Sequence, residues 1–149
     1  VRAVVQRVSD GRVTVGGELV GQVAQGLLVY LGVATGDTEQ DAAYLADKIA
    51  GLRIFMDAEE KMNLSVQDVG GGALVISQFT LLADARKGRR PSYSDAAAPA
   101  QAEELYRRFM DGLQTQGVPV EAGVFQTVMR VSCTNEGPVT ILLDSRKTF

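Results

Sequence analysis

Gly26-Leu27-Leu28-Val29-Tyr30-Leu31 is apolar at one position after another. A strand with one wet face alternates apolar and polar residues, so an unbroken run of this length reads as a strand buried on both faces. A helix follows. Asp37 reads as its N-cap, with Gln40 three residues on as the box partner. Ala42, Leu45, Ala46, Ile49 and Leu52 then recur at helical spacing.

Before this unit, Ala3 to Val8 is a strand candidate. Val13 to Val15 and Glu18 to Val23 flank Gly16-Gly17, a hairpin signal. After it, Arg53 to Met56 reads as extended and Asp57 to Lys61 as a polar turn. Gly70-Gly71-Gly72 is a loop without the Lys-Ser/Thr and helix start that a phosphate cradle requires. Ala73 to Thr80 is the next strand, and the loop from Asp84 to Asp95 holds Arg86, Lys87, Arg89 and Arg90. Pro99 suits the first turn of a second helix, whose stripe is Ala102, Leu105, Tyr106, Phe109 and Leu113 and whose end is Gly117. Glu121 to Phe125, Thr127 to Thr134 and Val139 to Asp144 close the chain as strands. Many strands with two separated helices indicate an α+β fold, a mixed sheet forming a partly closed barrel flanked by helices. With 149 residues and no linker or repeat, one domain over residues 1–149 is expected.

Composition narrows the chemistry. The 46% hydrophobic content supports a sizeable core, mostly aliphatic because Trp is absent and aromatics are 6%. A net charge of −3 provides no general basic coat, so any nucleic-acid contact must be local. The chain has no histidine, which excludes His triads, HExxH zinc sites and His general bases. Cys133 is the lone cysteine and sits in the strand-like Val131-Ser132-Cys133-Thr134, where a buried, inert thiol is expected rather than a nucleophile. No apolar run reaches membrane-spanning length, and a soluble cytoplasmic protein is the expectation.

Two segments stand out: Ser77-Gln78-Phe79-Thr80-Leu81 and Asn135-Glu136-Gly137-Pro138-Val139-Thr140. Taken singly, the first reads as a buried strand end and the second as a turn. Together they resemble the SQFTL and NxGPVT motifs of the D-aminoacyl-tRNA deacylase family, without a substitution. The resemblance continues through Ala3-Val4-Val5-Gln6-Arg7-Val8, Gly51-Leu52-Arg53-Ile54-Phe55, Met62-Asn63 and Arg90-Pro91-Ser92-Tyr93-Ser94. Ser145 to Phe149 carries no motif.

The resemblance implies a homodimer with active sites at the subunit interface, acting on the 3′ end of aminoacyl-tRNA without metal or organic cofactor. It implies hydrolysis of the ester of D-amino acids, and of glycine, on tRNA. The backbone N–H groups of Gln78 and Phe79 would face the substrate carbonyl. Thr80 is the side-chain nucleophile candidate but would need a base; Asp84 and Glu136 are the carboxylates one could propose. The alternative, in which the 2′-OH of the terminal adenosine helps activate water, leaves Thr80 a supporting role and is the favoured one. The resemblance further implies a cis Gly137-Pro138 that enters the partner's site and turns away L side chains, with Arg7 holding it in place. Ser77 adjoins the substrate; Ala102, Phe125 and, more weakly, Met129 match positions lining the adenosine or substrate pocket. On residue type alone Arg7 is an ordinary strand residue, and Ala102 and Phe125 are core. Lys87, Arg89 and Arg90 are either phosphate contacts or a solvated basic loop. Two rival readings remain: a non-catalytic module binding the RNA end, and a related deacylase type with a trans Gly-Pro that edits L-amino acids.

Overall fold

The computed structural model describes residues 1–149. Strands β1 (Arg2–Val15) and β2 (Glu18–Val23) form the hairpin at Gly16-Gly17, and β3 (Gly26–Gly32) returns along the first half of β1. Helix α1 (Glu39–Gly51) follows, then the small ribbon of β4 (Phe55–Met56) and β5 (Met62–Leu64). Next come β6 (Gly72–Ser77), parallel to β3, and a 3-10 turn, η1 (Phe79–Leu82). Helix α2 (Pro99–Thr115), β7 (Val120–Ala122) and β8 (Arg130–Asp144) complete the chain.

The main sheet runs β2-β1-β3-β6-β7, with β8 paired antiparallel to β1 over nearly its whole length. Its two ends approach each other, since Glu121 of β7 accepts the Gln22 N–H of β2 at 2.8 Å. The sheet is therefore a mixed, nearly closed barrel, as the strand pattern indicated. Both helices lie together against it, and the unbroken apolar run is explained by the layers. Leu27, Val29 and Leu31 join the core shared with the helices, while Leu28 joins Val8, Val13, Leu74 and Ile76 inside the barrel.

Several boundaries differ from the sequence reading. Asp37 does not cap α1. It is buried, takes the Ala34 N–H at 2.7 Å and pairs with Arg146 at 3.0 Å, so Thr38 becomes the N-cap. Asp41, rather than Gln40, completes the box by accepting the Thr38 amide at 2.8 Å. The segments Ala3 to Val8 and Val13 to Val15 are one strand, and so are Thr127 to Thr134 and Val139 to Asp144. Each of these long strands bridges its polar middle by pairing with the other, through register shifts around Val8. The strand expected to reach Thr80 stops at Ser77. Cys133 is exposed, as are Ser132 and Thr134 on either side of it, because both faces of β8 are open along this stretch.

The helices cross at a point with no room to spare. A Cβ built on Gly112 would stand 2.8 Å from the Cβ of Ala46. Gly112→Ala should lose stability despite the better helix propensity of alanine, by about 1–3 kcal/mol because overpacking forces the helices apart. Denaturant unfolding measures this, and a variant as stable as the parent contradicts the crossing described.

Candidate functional site

Parallel β3 and β6 end side by side, and the chain leaves both ends toward the same space. There a cavity of about 630 Å³ opens. Leu31, Val33 and Ile76 form its floor, Ala96, Ala97 and the first turn of α2 one wall, and the segment Phe125–Val131 the other. Of the residues singled out from sequence, Ser77, Gln78, Phe79, Ala102, Phe125 and Met129 all line it. Its 16 lining residues include no ionisable side chain. Polarity comes from hydroxyls, the Gln78 and Gln126 amides, and the backbone.

The backbone at the end of β6 decides what the cavity offers. The Gln78 N–H already donates to the Leu31 carbonyl at 2.8 Å, continuing the ladder one residue past the strand. It is therefore not free to face a substrate carbonyl, contrary to the expectation. At Phe79 the chain turns into η1, and the first N–H groups of any helical turn lack an internal acceptor. Neither the Phe79 nor the Thr80 N–H has a protein acceptor, whereas Leu81 donates to Gln78 and Ala83 to Thr80. Two adjacent free amides thus replace the expected Gln78 and Phe79 pair. Thr80 itself is not a lining residue; its hydroxyl oxygen accepts a hydrogen bond from the Gln78 side chain.

Neither proposed base is available to it. Asp84 is clasped by Arg86, with Nε at 2.9 Å and Nη2 at 2.7 Å. These hydrogen bonds hold its carboxyl down at about 2, leaving it little appetite for a proton. Glu136 is exposed on β8 and is not among the residues that line the cavity of its own chain. Partial desolvation by its strand neighbours pushes the exposed Cys133 thiol above its ordinary value, aided by the Asp10 charge, and so disfavours the thiolate.

A second cluster gathers Arg7, Gly137 and Pro138. Arg7 is only 8% exposed. Its Nε donates to the Glu136 carbonyl at 3.0 Å and its Nη1 to the Ile54 carbonyl at 2.7 Å. Asn135 closes the turn from below: its Oδ1 accepts the Val139 N–H at 2.8 Å and its Nδ2 donates to Thr140 Oγ1 at 3.0 Å. Asn135, Val139 and Thr140 thereby fasten the two ends of the segment that presents Gly137-Pro138. That peptide is cis, Gly137 has φ +133, and a Cβ there would meet Arg7 Nη2 at 2.8 Å. Both residues are exposed and neither lines the cavity of its own chain.

The profile of the D-Tyr-tRNA(Tyr) deacylase family matches residues 4–144, which include both clusters. The chain belongs to this family. It is 60% identical to the D-aminoacyl-tRNA deacylase of Symbiobacterium thermophilum, over 99% of this chain and 98% of that protein. It is also 60% identical to that of Alkaliphilus metalliredigens, over 99% of both. Among solved structures it resembles one described as a c-Myc DNA unwinding element binding protein, with TM-score 0.92, 38% identity and coverage of 97% and 98%. A probable eukaryotic D-amino acid tRNA deacylase shares the fold at TM-score 0.78 and 18% identity, over 96% of this chain and 98% of that one.

Three contributors around the family's two motifs escaped the sequence reading. Tyr106 looked like one more residue of a helix stripe. Its hydroxyl donates to the Val75 carbonyl at 3.0 Å, and its ring sits 6.1 Å from that of Phe125, bracing the cavity wall. Burial pushes its hydroxyl up to about 12, so it stays a protonated donor. The Ile54 carbonyl anchors Arg7, and Val33 supplies part of the floor. No residue-type signal marks a backbone anchor.

Proposed function

We propose that this chain hydrolyses the ester bond of D-aminoacyl-tRNA, and of mischarged glycyl-tRNA, releasing amino acid and tRNA. The observation that carries the reading is the pair of free amides of Phe79 and Thr80 beside an uncharged cavity. An aminoacyl ester is already activated, so positioning and an oxyanion acceptor site suffice without a protein nucleophile. The carbonyl oxygen, as it gains charge, accepts from the Phe79 and Thr80 N–H groups. Ala102, Phe125 and Met129 enclose the terminal adenosine, whose 2′-OH orients the attacking water by accepting its hydrogen bond and relays the proton to the departing 3′ oxygen as the ester C–O bond breaks. The hydroxyl oxygen of Thr80 holds the Gln78 side chain, so Thr80→Ala retains most of the turnover. A trapped acyl-Thr80 adduct would contradict this assignment.

Chirality is read at the α-carbon by backbone. In this reading the protein is a homodimer, and Gly137-Pro138 of one copy, fastened by Arg7 and Asn135, enters the other copy's cavity. Its carbonyls leave no room for an L side chain, while glycine has nothing to exclude. Exposure of Gly137-Pro138 away from its own chain's cavity supports the exchange.

The decisive experiment compares matched D-tyrosyl-, L-tyrosyl- and glycyl-tRNA. Rapid loss of the D and glycyl esters with the L ester near its buffer rate is expected. Comparable loss of D and L esters would sink the chiral reading, and no loss of any would leave only a binding module. The pH profile tests the mechanism separately. With no ionisable group lining the cavity, the rate relative to spontaneous hydrolysis should stay nearly level from about pH 6 to about pH 8. A bell-shaped ratio with an inflection distinct from that of the substrate's own α-ammonium would reveal a protein acid or base.

A further inference from the structure

Phe79 has two faces of interest. Its amide adjoins the cavity, but its ring is 57% exposed at the mouth and meets Tyr93, itself 40% exposed, at 5.2 Å and 69°. Two aromatic rings set edge to face in water are unusual for a fold whose core is aliphatic, and no other element of the same chain covers them.

Tyr93 is not on a free-swinging loop. Asp84 and Ser92 exchange both backbone hydrogen bonds, at 2.8 and 2.9 Å, which pinches off residues 85–91 as a hairpin. Beyond it, Ala96 donates to the Tyr93 carbonyl, Thr35 to Asp95 and Ala97 to Val33. The hairpin therefore springs from η1 on one side and from the cavity wall at Ala96 and Ala97 on the other. It carries Arg86, Lys87, Arg89 and Arg90 in a chain whose net charge is −3. Asp84 neutralises Arg86, while Lys87, Arg89 and Arg90 belong to none of the ion pairs.

Aromatic faces beside uncommitted cations are the ingredients of a single-stranded nucleic-acid seat: bases stack and phosphates pair. We propose that the Phe79–Tyr93 pair and this hairpin form a seat for the RNA immediately upstream of the 3′-terminal adenosine. The exposed aromatic surface takes the penultimate base, and Lys87, Arg89 and Arg90 take the adjoining phosphates. The inference rests on the deacylase reading, in which the terminal adenosine occupies the cavity. It makes Tyr93 a residue that reads RNA and not amino acid.

Steady-state kinetics on two substrates separate these roles: D-tyrosyl-tRNA, and the D-tyrosyl ester of adenosine, which ends where the seat begins. Tyr93→Ala should raise KM for the tRNA ester about tenfold more than for the adenosine ester, the scale of one missing base stack. Tyr93→Phe should restore it. Arg89→Ala/Arg90→Ala should flatten the dependence of log kcat/KM on log salt for the tRNA ester, by about 0.7 for each phosphate no longer neutralised. Equal effects of Tyr93→Ala on both esters, or none on either, overturn the proposal. So does a shift of Tyr93→Ala from dimer to monomer in sedimentation, which would give the ring pair to a subunit interface. Wild-type protein inert on both esters defeats the deacylase reading and this inference with it; wild-type turnover with an unselective Tyr93→Ala defeats this inference alone.

Discussion

Phe79→Pro should lower kcat about 100- to 1000-fold, the usual consequence of removing one donor to a developing oxyanion. The substitution deletes a single N–H that the fold does not use, since no protein acceptor takes it. Phe79 is the first residue of η1, the helical position where proline fits best because its N–H is an orphan. Gln78 before it, at φ −143 and ψ 83, lies outside the α region that a following proline disfavours. Loss of the ring is controlled by Phe79→Ala, which keeps the amide. Alanine should raise KM for tRNA esters and leave most of kcat. Proline should remove kcat on tRNA and adenosine esters alike, with little change in melting temperature. Equal kcat for the two variants would take the oxyanion role away from this amide.

The second large effect concerns selectivity. Gly137→Ala should bring the D and L rates closer by about 5- to 150-fold, the equivalent of the 1–3 kcal/mol attached to a non-glycine residue in a disallowed backbone region. At φ +133 an L residue is strained wherever it finds space, and here the added Cβ would also meet Arg7 Nη2 at 2.8 Å. Either the dipeptide or the guanidinium must move, and in the proposed dimer the dipeptide is what excludes L side chains. Arg7→Lys approaches the same result from the other side. A point-charge ammonium cannot reproduce the planar fork that reaches both Glu136 and Ile54 carbonyls. Both variants should gain L-tyrosyl-tRNA hydrolysis while retaining D-tyrosyl-tRNA hydrolysis. Unchanged D-to-L ratios in variants whose crystal structures show a displaced Gly137-Pro138 would remove the dipeptide from chiral selection.

What the sequence alone determined lies where short-range pattern has only one outlet. The unbroken run Leu27 to Leu31 had to be covered on both faces, and it is. Pro99 starts α2 and Gly117, at φ +87, follows its end, because proline and glycine limit the backbone locally. The two motifs identified the family because they consist of residue types, and residue types are what a sequence records. Partners distant in the chain were decided only by the tertiary structure. Asp37 looked like a cap but found the Ala34 amide and Arg146, 109 residues away, and a carboxylate buried with such partners leaves capping to Thr38. Cys133 looked buried because strand residues often are, yet Ser132, Cys133 and Thr134 are all exposed, since nothing else in the chain packs over this stretch of β8, and only the placed neighbours show that. The site turns on the same distinction. Gln78, Phe79 and Thr80 are adjacent and look equivalent as donors. The Leu31 carbonyl, brought alongside by parallel pairing of β3 and β6, consumes the first amide and leaves the next two free. A backbone N–H is common to every residue but proline, so its availability is invisible until the acceptors around it are placed in space.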